Sequence, residues 1–274
     1  MQPAVLSYSW VGHSLLLIIA TCNAVLMPGA REYCEAETFL ARCKADEVVV
    51  METALYGRMS VGRCVIKDYG YVGCKADVLG HMDNKCSGRR SCEIRIPDST
   101  LDDANPCPKD FKTFLEAGYK CVKVHNPPCR PCKNFTEVIA TSPQGFLASV
   151  VSVVSEESTV WHCDCPYILS ARPGQRFNFT LVDFALSPKR RSTAAASNVD
   201  DFCYRYATMR EQGHDKEIFI CGGTKRVRFA YTSHTNVVRI KFEGGRHGGV
   251  FGHFLLKYDG KEALSHCPQI KVLL

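Results

Sequence analysis

Apolar and polar positions alternate with a period of two in several separate stretches of the chain, the pattern of half-buried strands. Residues 176–184 (RFNFTLVDF), 226–231 (RVRFAY) and 237–242 (VVRIKF) alternate strongly, and residues 253–258 (HFLLKY) read as a further strand. Glycine-rich turns (RPGQ, CGGTK and EGGRHGG) separate them. Strands at this spacing predict an antiparallel β-sandwich in the second half of the chain. The first half is mixed. Residues 47–51 (EVVVM) form a β-branched run typical of a buried strand, while 92–96 (CEIRI) and 113–121 (TFLEAGYKC) alternate like half-buried ones. Residues 77–86 (DVLGHMDNKC) suit a short helix. The expected fold class is therefore two-domain and mainly β: a small α/β unit followed by an antiparallel sandwich.

Cysteine content sharpens this picture. The 274 residues include 16 cysteines, a liability in a reducing cytosol but ordinary where disulfides persist. An apolar run at residues 15–26 (LLLIIATCNAVL) has the length of a signal-peptide core and is shorter than the roughly 20 residues of a membrane span. The segment before it contains no Lys or Arg, and a short N-terminal anchor is the alternative. Residues 1–30 are read as a signal peptide, and the chain as secreted or extracellular.

Eight cysteines lie between Cys34 and Cys121, and Cys129, Cys132, Cys163, Cys165, Cys203, Cys221 and Cys267 follow. Between the groups, VKVHNPPCRP is rich in proline, which fixes φ and lacks an amide donor. The expected division is a first domain at 31–122, a linker at 123–131, a second domain at 132–258 and a tail at 259–274. Residues 34–121 carry 13 basic and 14 acidic side chains, whereas 132–258 carry 16 and 11. The excess positive charge thus belongs to the second half. Eight cysteines allow about 105 pairings, so spacing alone leaves the connectivity open.

The stretch YCEAETFLARC, then ALYGR at 54–58, then NPCPKDFKTFLEAGYKC ending at Cys121, resembles the sea-urchin-egg-lectin (SUEL) type domain of rhamnose-binding lectins and latrophilins. The resemblance spans all eight cysteines in order and implies the pairs Cys34–Cys64, Cys43–Cys121, Cys74–Cys107 and Cys86–Cys92. It also implies a calcium-independent sugar site for L-rhamnose or galactose-type glycans. Such a site needs a carboxylate acceptor, a cationic or amide donor and an aromatic face. The matching positions are Glu35, Tyr56 and Lys112, with Asn105 where the family carries an Asp. Two further departures stand out: Leu55 replaces a family Asn, and Lys109 a Gly that lets the backbone approach the ligand. Read without the resemblance, Glu35 and Lys112 are ordinary surface charges, and Tyr56-Gly57-Arg58 is a packing element with Arg58 tied to a core carboxylate.

In the second half, CPYILSARPGQRFNFTLVDF, CYRY at 203–206, CGG at 221–223 and VVRIKF followed by GVFGHFLLKY are similar to a CUB domain. This implies Cys132–Cys165 and Cys203–Cys221. The family's calcium-ligating carboxylates fall on Leu186 or Ser187, Tyr206 and about Gly245, none acidic, so no calcium and no other cofactor is expected. Lys189, Arg190 and Arg191, with Lys225, Arg226 and Arg228, form a basic set read as a solvated loop and strand face, with attraction of heparan sulfate or anionic membranes as the alternative. Asn134 and Asn178 head glycosylation sequons. Cys129, Cys163 and Cys267 remain outside the implied pairs. Cys129–Cys267 is favoured, which leaves Cys163 free or bridging two chains in a disulfide-linked dimer. A zinc site at Cys129, Cys132, Cys163 and Cys165 is the disfavoured alternative in an oxidising compartment.

Histidines are scattered, and no nucleophile elbow, metal-binding helix or phosphate loop occurs. An enzyme is not expected, and an extracellular compartment argues against nucleic acid as a partner. The expected function is calcium-independent carbohydrate binding in adhesion or recognition. The alternative is an extracellular protein-interaction module whose lectin site has degenerated, as part of a larger receptor, with a cell-surface protein as partner.

Overall fold

The computed structural model describes residues 29–125, 136–139, 144–149, 166–185, 204–223, 225–242 and 254–262. In the first unit, β1 (Arg31–Cys34), β3 (Glu47–Arg58), β4 (Cys74–Asp77) and β6 (Phe114–Lys123) form one antiparallel sheet in the order β1-β6-β3-β4. A separate ribbon pairs β2 (Thr38–Arg42) with β5 (Ser91–Arg95). The helix α1 (Leu79–Cys86) packs between the sheet and this ribbon, and α2 (Ser99–Ala104) follows β5. Asp77 accepts the Leu79 amide at 2.9 Å to start α1. Asp98 accepts the amides of Thr100 and Leu101 at 3.1 and 2.9 Å to start α2, the usual role of an N-cap carboxylate.

One apolar cluster holds this unit. Phe39 and Ala41 from β2, Val49, Met51 and Tyr56 from β3, Met82 from α1 and Leu115 from β6 meet in it. Four disulfides surround the cluster: Cys34–Cys64, Cys43–Cys121, Cys74–Cys107 and Cys86–Cys92, the pairing that the family resemblance implies. They offset the limited core that a unit of this size can build.

The second unit contains two sheets. One has the order β13-β10-β15-β8, from β8 (Gln144–Ala148), β10 (Gln175–Asp183), β13 (Val227–Thr232) and β15 (Phe254–Glu262). The other has the order β12-β11-β14-β9-β7, from β7 (Thr136–Ile139), β9 (Tyr167–Ser170), β11 (Tyr204–Glu211), β12 (Ile218–Gly222) and β14 (Val237–Phe242). Alternate residues of both sheets, among them Phe177, Phe179, Leu181, Met209, Val238 and Ile240, share one core, so the sheets form a sandwich. Among the named strands its pairing is antiparallel except between β7 and β9, which run parallel, and an isolated bridge from His125 to Leu147 is also parallel, a departure from the all-antiparallel expectation.

The two units touch directly. Val48 and Val50 leave β3 on the face opposite Val49 and Met51, and they pack with Val124, Ala148, Phe184 and Leu255. Strand β3 is therefore covered on both sides, which explains why residues 48–50 read as an unbroken apolar run. Lys123 still belongs to β6, Val124 is buried, and the His125 amide donates to the Phe146 carbonyl at 2.8 Å. Residues 126–131 lie outside the described residues, as do residues 1–28, Asn134, the basic residues 189–191 and Cys129, Cys132, Cys163, Cys165, Cys203 and Cys267. Cys221 is disulfide-bonded. No helix among the described residues is long and apolar enough to cross a membrane.

Candidate functional site

Strand register gathers the sequence-derived candidates at one end of the first sheet. Cys34 pairs with Phe114 across β1 and β6, so Glu35 leaves the sheet opposite Thr113, next to Lys112. On the other side of β6, Tyr56 pairs with Leu115 and Gly57 with Phe114. Arg58 pairs with Cys74, whose disulfide to Cys107 brings the segment containing Asn105 to the same end.

Each side chain has a distinct role there. Glu35 is exposed and lies within the bonded turn in which the Glu37 amide donates to the Cys34 carbonyl at 3.0 Å. Glu37 itself accepts from the Cys34 amide at 2.8 Å and from the Arg63 guanidinium at 2.6 and 2.8 Å. The Arg63 and Cys34 bonds hold the Glu37 carboxyl down at about 2. Ala36 between them has φ of 68°, and its amide donates to the Ile96 carbonyl at 2.7 Å. The turn beside Glu35 is thus fixed by local bonds and by Cys34–Cys64.

Tyr56 departs from the sequence expectation. Its ring is only 1% exposed and belongs to the core, so it is not an open aromatic face. Its hydroxyl accepts from Thr113 Oγ1 at 2.8 Å. Burial raises its pKa against that bond, and the negative charges of Asp102, Glu35 and Asp98 raise it further. The phenol therefore sits in an acidic surrounding to which Glu35 contributes. Asp98 also meets His81 Nε2 at 2.8 Å. Burial would raise the Asp98 carboxyl, but the Leu101 amide and His81 outweigh it and hold it low.

Asn105 directs its Oδ1 to the Cys107 amide at 3.0 Å and so shapes the loop after α2. Lys112 is exposed, its carbonyl accepts from Arg58, and its side chain makes no hydrogen bond or ion pair among the described residues. Lys109 is exposed in a turn closed by the Phe111 amide and the Pro108 carbonyl at 3.1 Å. Leu55 is half-buried and leaves β3 on the face opposite Tyr56, so it does not share the Tyr56 surroundings.

The residues around Tyr56 account for the Tyr-Gly-Arg motif. Gly57 has φ of 148°, and a Cβ there would stand 2.3 Å from the Cys74 carbonyl oxygen. Only glycine lets β3 and β4 approach this closely. Arg58 is buried, but among the described residues no core carboxylate holds it. Its guanidinium donates to the carbonyls of Lys67 at 2.8 Å and of Gly70 and Lys112 at 3.3 Å each, and it lies 5.2 Å from the Phe111 ring. Sequence reading named Arg58 without these partners, because backbone carbonyls leave no residue-type signal.

A shallow depression of about 810 Å3 opens elsewhere, beside β1, lined by Arg31, Glu32, Tyr33, Glu37, Thr38 and Arg63. Arg63 and Glu37 in it are already paired, Arg63 with Glu37 and with the Glu32 carbonyl, so its size alone does not make it the site. In the second unit the basic set is partly engaged. Arg226 donates to Asp83 and the Met51 carbonyl of the first unit, and Arg228 donates to the Cys221 carbonyl. Lys225 is exposed.

Comparison with known proteins bears on the first unit. Residues 41–121 match the family profile of the D-galactoside/L-rhamnose binding SUEL lectin domain. Latrophilin Cirl of Drosophila mojavensis and that of Drosophila persimilis are each 31% identical to the chain over 94 residues, and that of Drosophila ananassae is 30% identical over the same length. Each alignment covers 32% of this chain and 5% of the relative, so the chain spans about a twentieth of these proteins. The matched residues include Tyr56, Asn105 and Lys112 but begin after Glu35, and this part of the chain is similar to a SUEL-type lectin domain.

Proposed function

We propose that the chain is an extracellular carbohydrate-binding protein whose first unit holds a galactose- or rhamnose-type sugar without calcium. The observation that carries this reading is the convergence of Glu35 and Lys112, both exposed, at the Tyr56–Thr113 end of the sheet. A carboxylate accepts from vicinal hydroxyls, and an ammonium donates to a third. Tyr56 and Thr113 form the floor beneath them, and Asn105 sets the wall after α2. The second unit acts as a CUB-like interaction module. Asn178, half-exposed on β10 with its Oδ1 accepting from Thr232 at 2.7 Å, carries an N-glycan in this reading.

The test is binding of the purified chain to immobilised L-rhamnose and D-galactose, with free sugar as competitor and a chelator in a parallel sample. Competable, chelator-resistant binding is expected. Glu35→Ala and Lys112→Ala should each abolish it while leaving circular dichroism unchanged. Unaltered affinity in both variants would move the site elsewhere. A chain that binds neither sugar would leave the protein-interaction reading.

A further inference from the structure

The burial of Tyr56 leaves the proposed sugar position without an exposed ring. Three rings lie close by. Residues 59–73, between β3 and β4, return to the sheet beside Lys112, and this loop presents Tyr69 and Tyr71, which are 73% and 62% exposed. The Tyr71 ring centroid lies 5.2 Å from that of Phe111, the neighbour of Lys112.

The loop backbone is tied to the site. Buried Arg58 donates to the Lys67 and Gly70 carbonyls of the loop and to the Lys112 carbonyl, so one guanidinium ties the loop to the candidate site. Its cation also faces the Phe111 ring. Tyr71 has φ of 59°, a left-handed conformation that is unfavourable for a bulky residue relative to glycine. The ring is exposed and its hydroxyl makes no bond among the described residues; its contact is with the Phe111 ring. Glycine or asparagine would close the same turn with less strain, so the turn alone does not account for an aromatic side chain here.

We propose that Tyr71, Tyr69 and Phe111 form a second sugar subsite, which takes the residue linked to the sugar held between Glu35 and Lys112. This rests on the monosaccharide reading above and extends it: the ligand is a glycan chain end, not a free sugar. A pyranose offers an apolar C–H face that stacks on an exposed ring, while its hydroxyls stay in water at the open edge. Rings fixed beforehand lose little conformational entropy on binding. Contiguity through Phe111 and Lys112 favours the glycan over a protein as occupant.

The experiment compares methyl β-D-galactoside with lactose, and methyl α-L-rhamnoside with a rhamnose-terminated disaccharide, by calorimetry on the full chain and on Tyr71→Ala and Tyr69→Ala. In the unmodified chain one disaccharide should bind about three- to tenfold tighter than its methyl glycoside, the worth of one aromatic contact. Tyr71→Ala should remove that advantage and leave the methyl glycoside affinity unchanged. Methyl glycoside binding with no disaccharide advantage overturns the subsite alone. Binding of no sugar at all overturns the monosaccharide reading and the subsite with it. Equal loss of both ligands in Tyr71→Ala also overturns the subsite. So does a retained disaccharide advantage in Tyr71→Ala together with lost self-association in sedimentation, which would assign the rings to a second copy of the chain.

Discussion

Arg226 of the sandwich grips Asp83 of the lectin-like unit through two hydrogen bonds, Nε to Oδ2 at 2.6 Å and Nη2 to Oδ1 at 3.0 Å. Asp83 is 3% exposed and also accepts from Ser87 Oγ at 2.6 Å, while Ser87 Oγ accepts from the Met51 amide at 3.0 Å. Arg226 lies 5.9 Å from the Phe184 ring, at the edge of the apolar contact formed by Val48, Val50 and Leu255. Burial pushes the Asp83 carboxyl upward against the Arg226 and Ser87 bonds. Without the second unit, Val48 and Val50 would face water, and Asp83 would lose its cation.

Removing one partner of this pair therefore costs more than removing both. Arg226→Met should destabilise the chain by about 3–5 kcal/mol, because it leaves a buried carboxylate without its counter-ion. Adding Asp83→Leu should recover most of that loss, since apolar replacements of similar volume often match a buried ion pair. Urea unfolding of the four members of the cycle measures the coupling. Additive effects would mean that the two side chains act independently.

The sequence showed some of these relationships and hid others for physical reasons. Strands β3, β5, β6, β10, β13, β14 and β15 were legible because their side chains alternate or, in β3, because both faces are covered. Strand β11 was not singled out: it ends in Glu211, a buried carboxylate that reads as a solvent-facing charge. Helix α2 was missed although Asp98, followed by Asp102 in the first turn, is an ordinary helix start. Arg226 was placed with an exposed basic set because sequence spacing cannot show an acidic partner 143 residues away. At the candidate site, residue types pointed to Glu35 and Lys112. The burial of Tyr56 depends on β6 and α2 closing over it, a tertiary fact with no local pattern.

Gly57→Ala should damage the sheet rather than the ligand contacts. The added Cβ meets backbone, the Cys74 carbonyl oxygen at 2.3 Å and the Lys75 Cα at 2.9 Å, so no side chain can rotate aside. The positive φ adds strain of about 1–3 kcal/mol. Loss of stability with faster amide exchange at Lys75 and Ala76 is the expected outcome. Unchanged exchange there would show that the β3–β4 pair adjusts freely.

Reduction should unfold the first unit. Cys43–Cys121 closes 78 residues, while Cys34–Cys64 and Cys74–Cys107 close 30 and 33. Each such loop restrains the unfolded chain by about 3.5–4.5 kcal/mol, a large share of the stability of a domain this small. Circular dichroism and sugar binding should both be lost in reductant. Native spectra persisting after complete reduction would show that the apolar core suffices.

Acid should weaken the sandwich at Glu211. This carboxylate is buried and accepts from Tyr231 Oη at 2.7 Å, from the His234 and Thr235 amides at 2.8 and 2.7 Å, and from Thr235 Oγ1 at 3.0 Å. Burial raises its pKa, but these bonds outweigh burial and hold it below the ordinary value of 4.5. A depressed folded pKa means that the unfolded chain binds the proton first. The stabilisation is complete above about pH 4.5 and is lost as pH falls through the folded pKa. The same contact acts at the alkaline end. Burial and then the Glu211 bond raise Tyr231 to about 12, so stability falls as pH climbs from 10 towards that value. Glu211→Gln should lower stability at neutral pH and flatten the acid limb of its pH profile. It should also return Tyr231 towards 10, read as tyrosinate absorbance against a Tyr231→Phe control. An acid limb as steep as that of the unmodified chain would place the acid-sensitive group elsewhere.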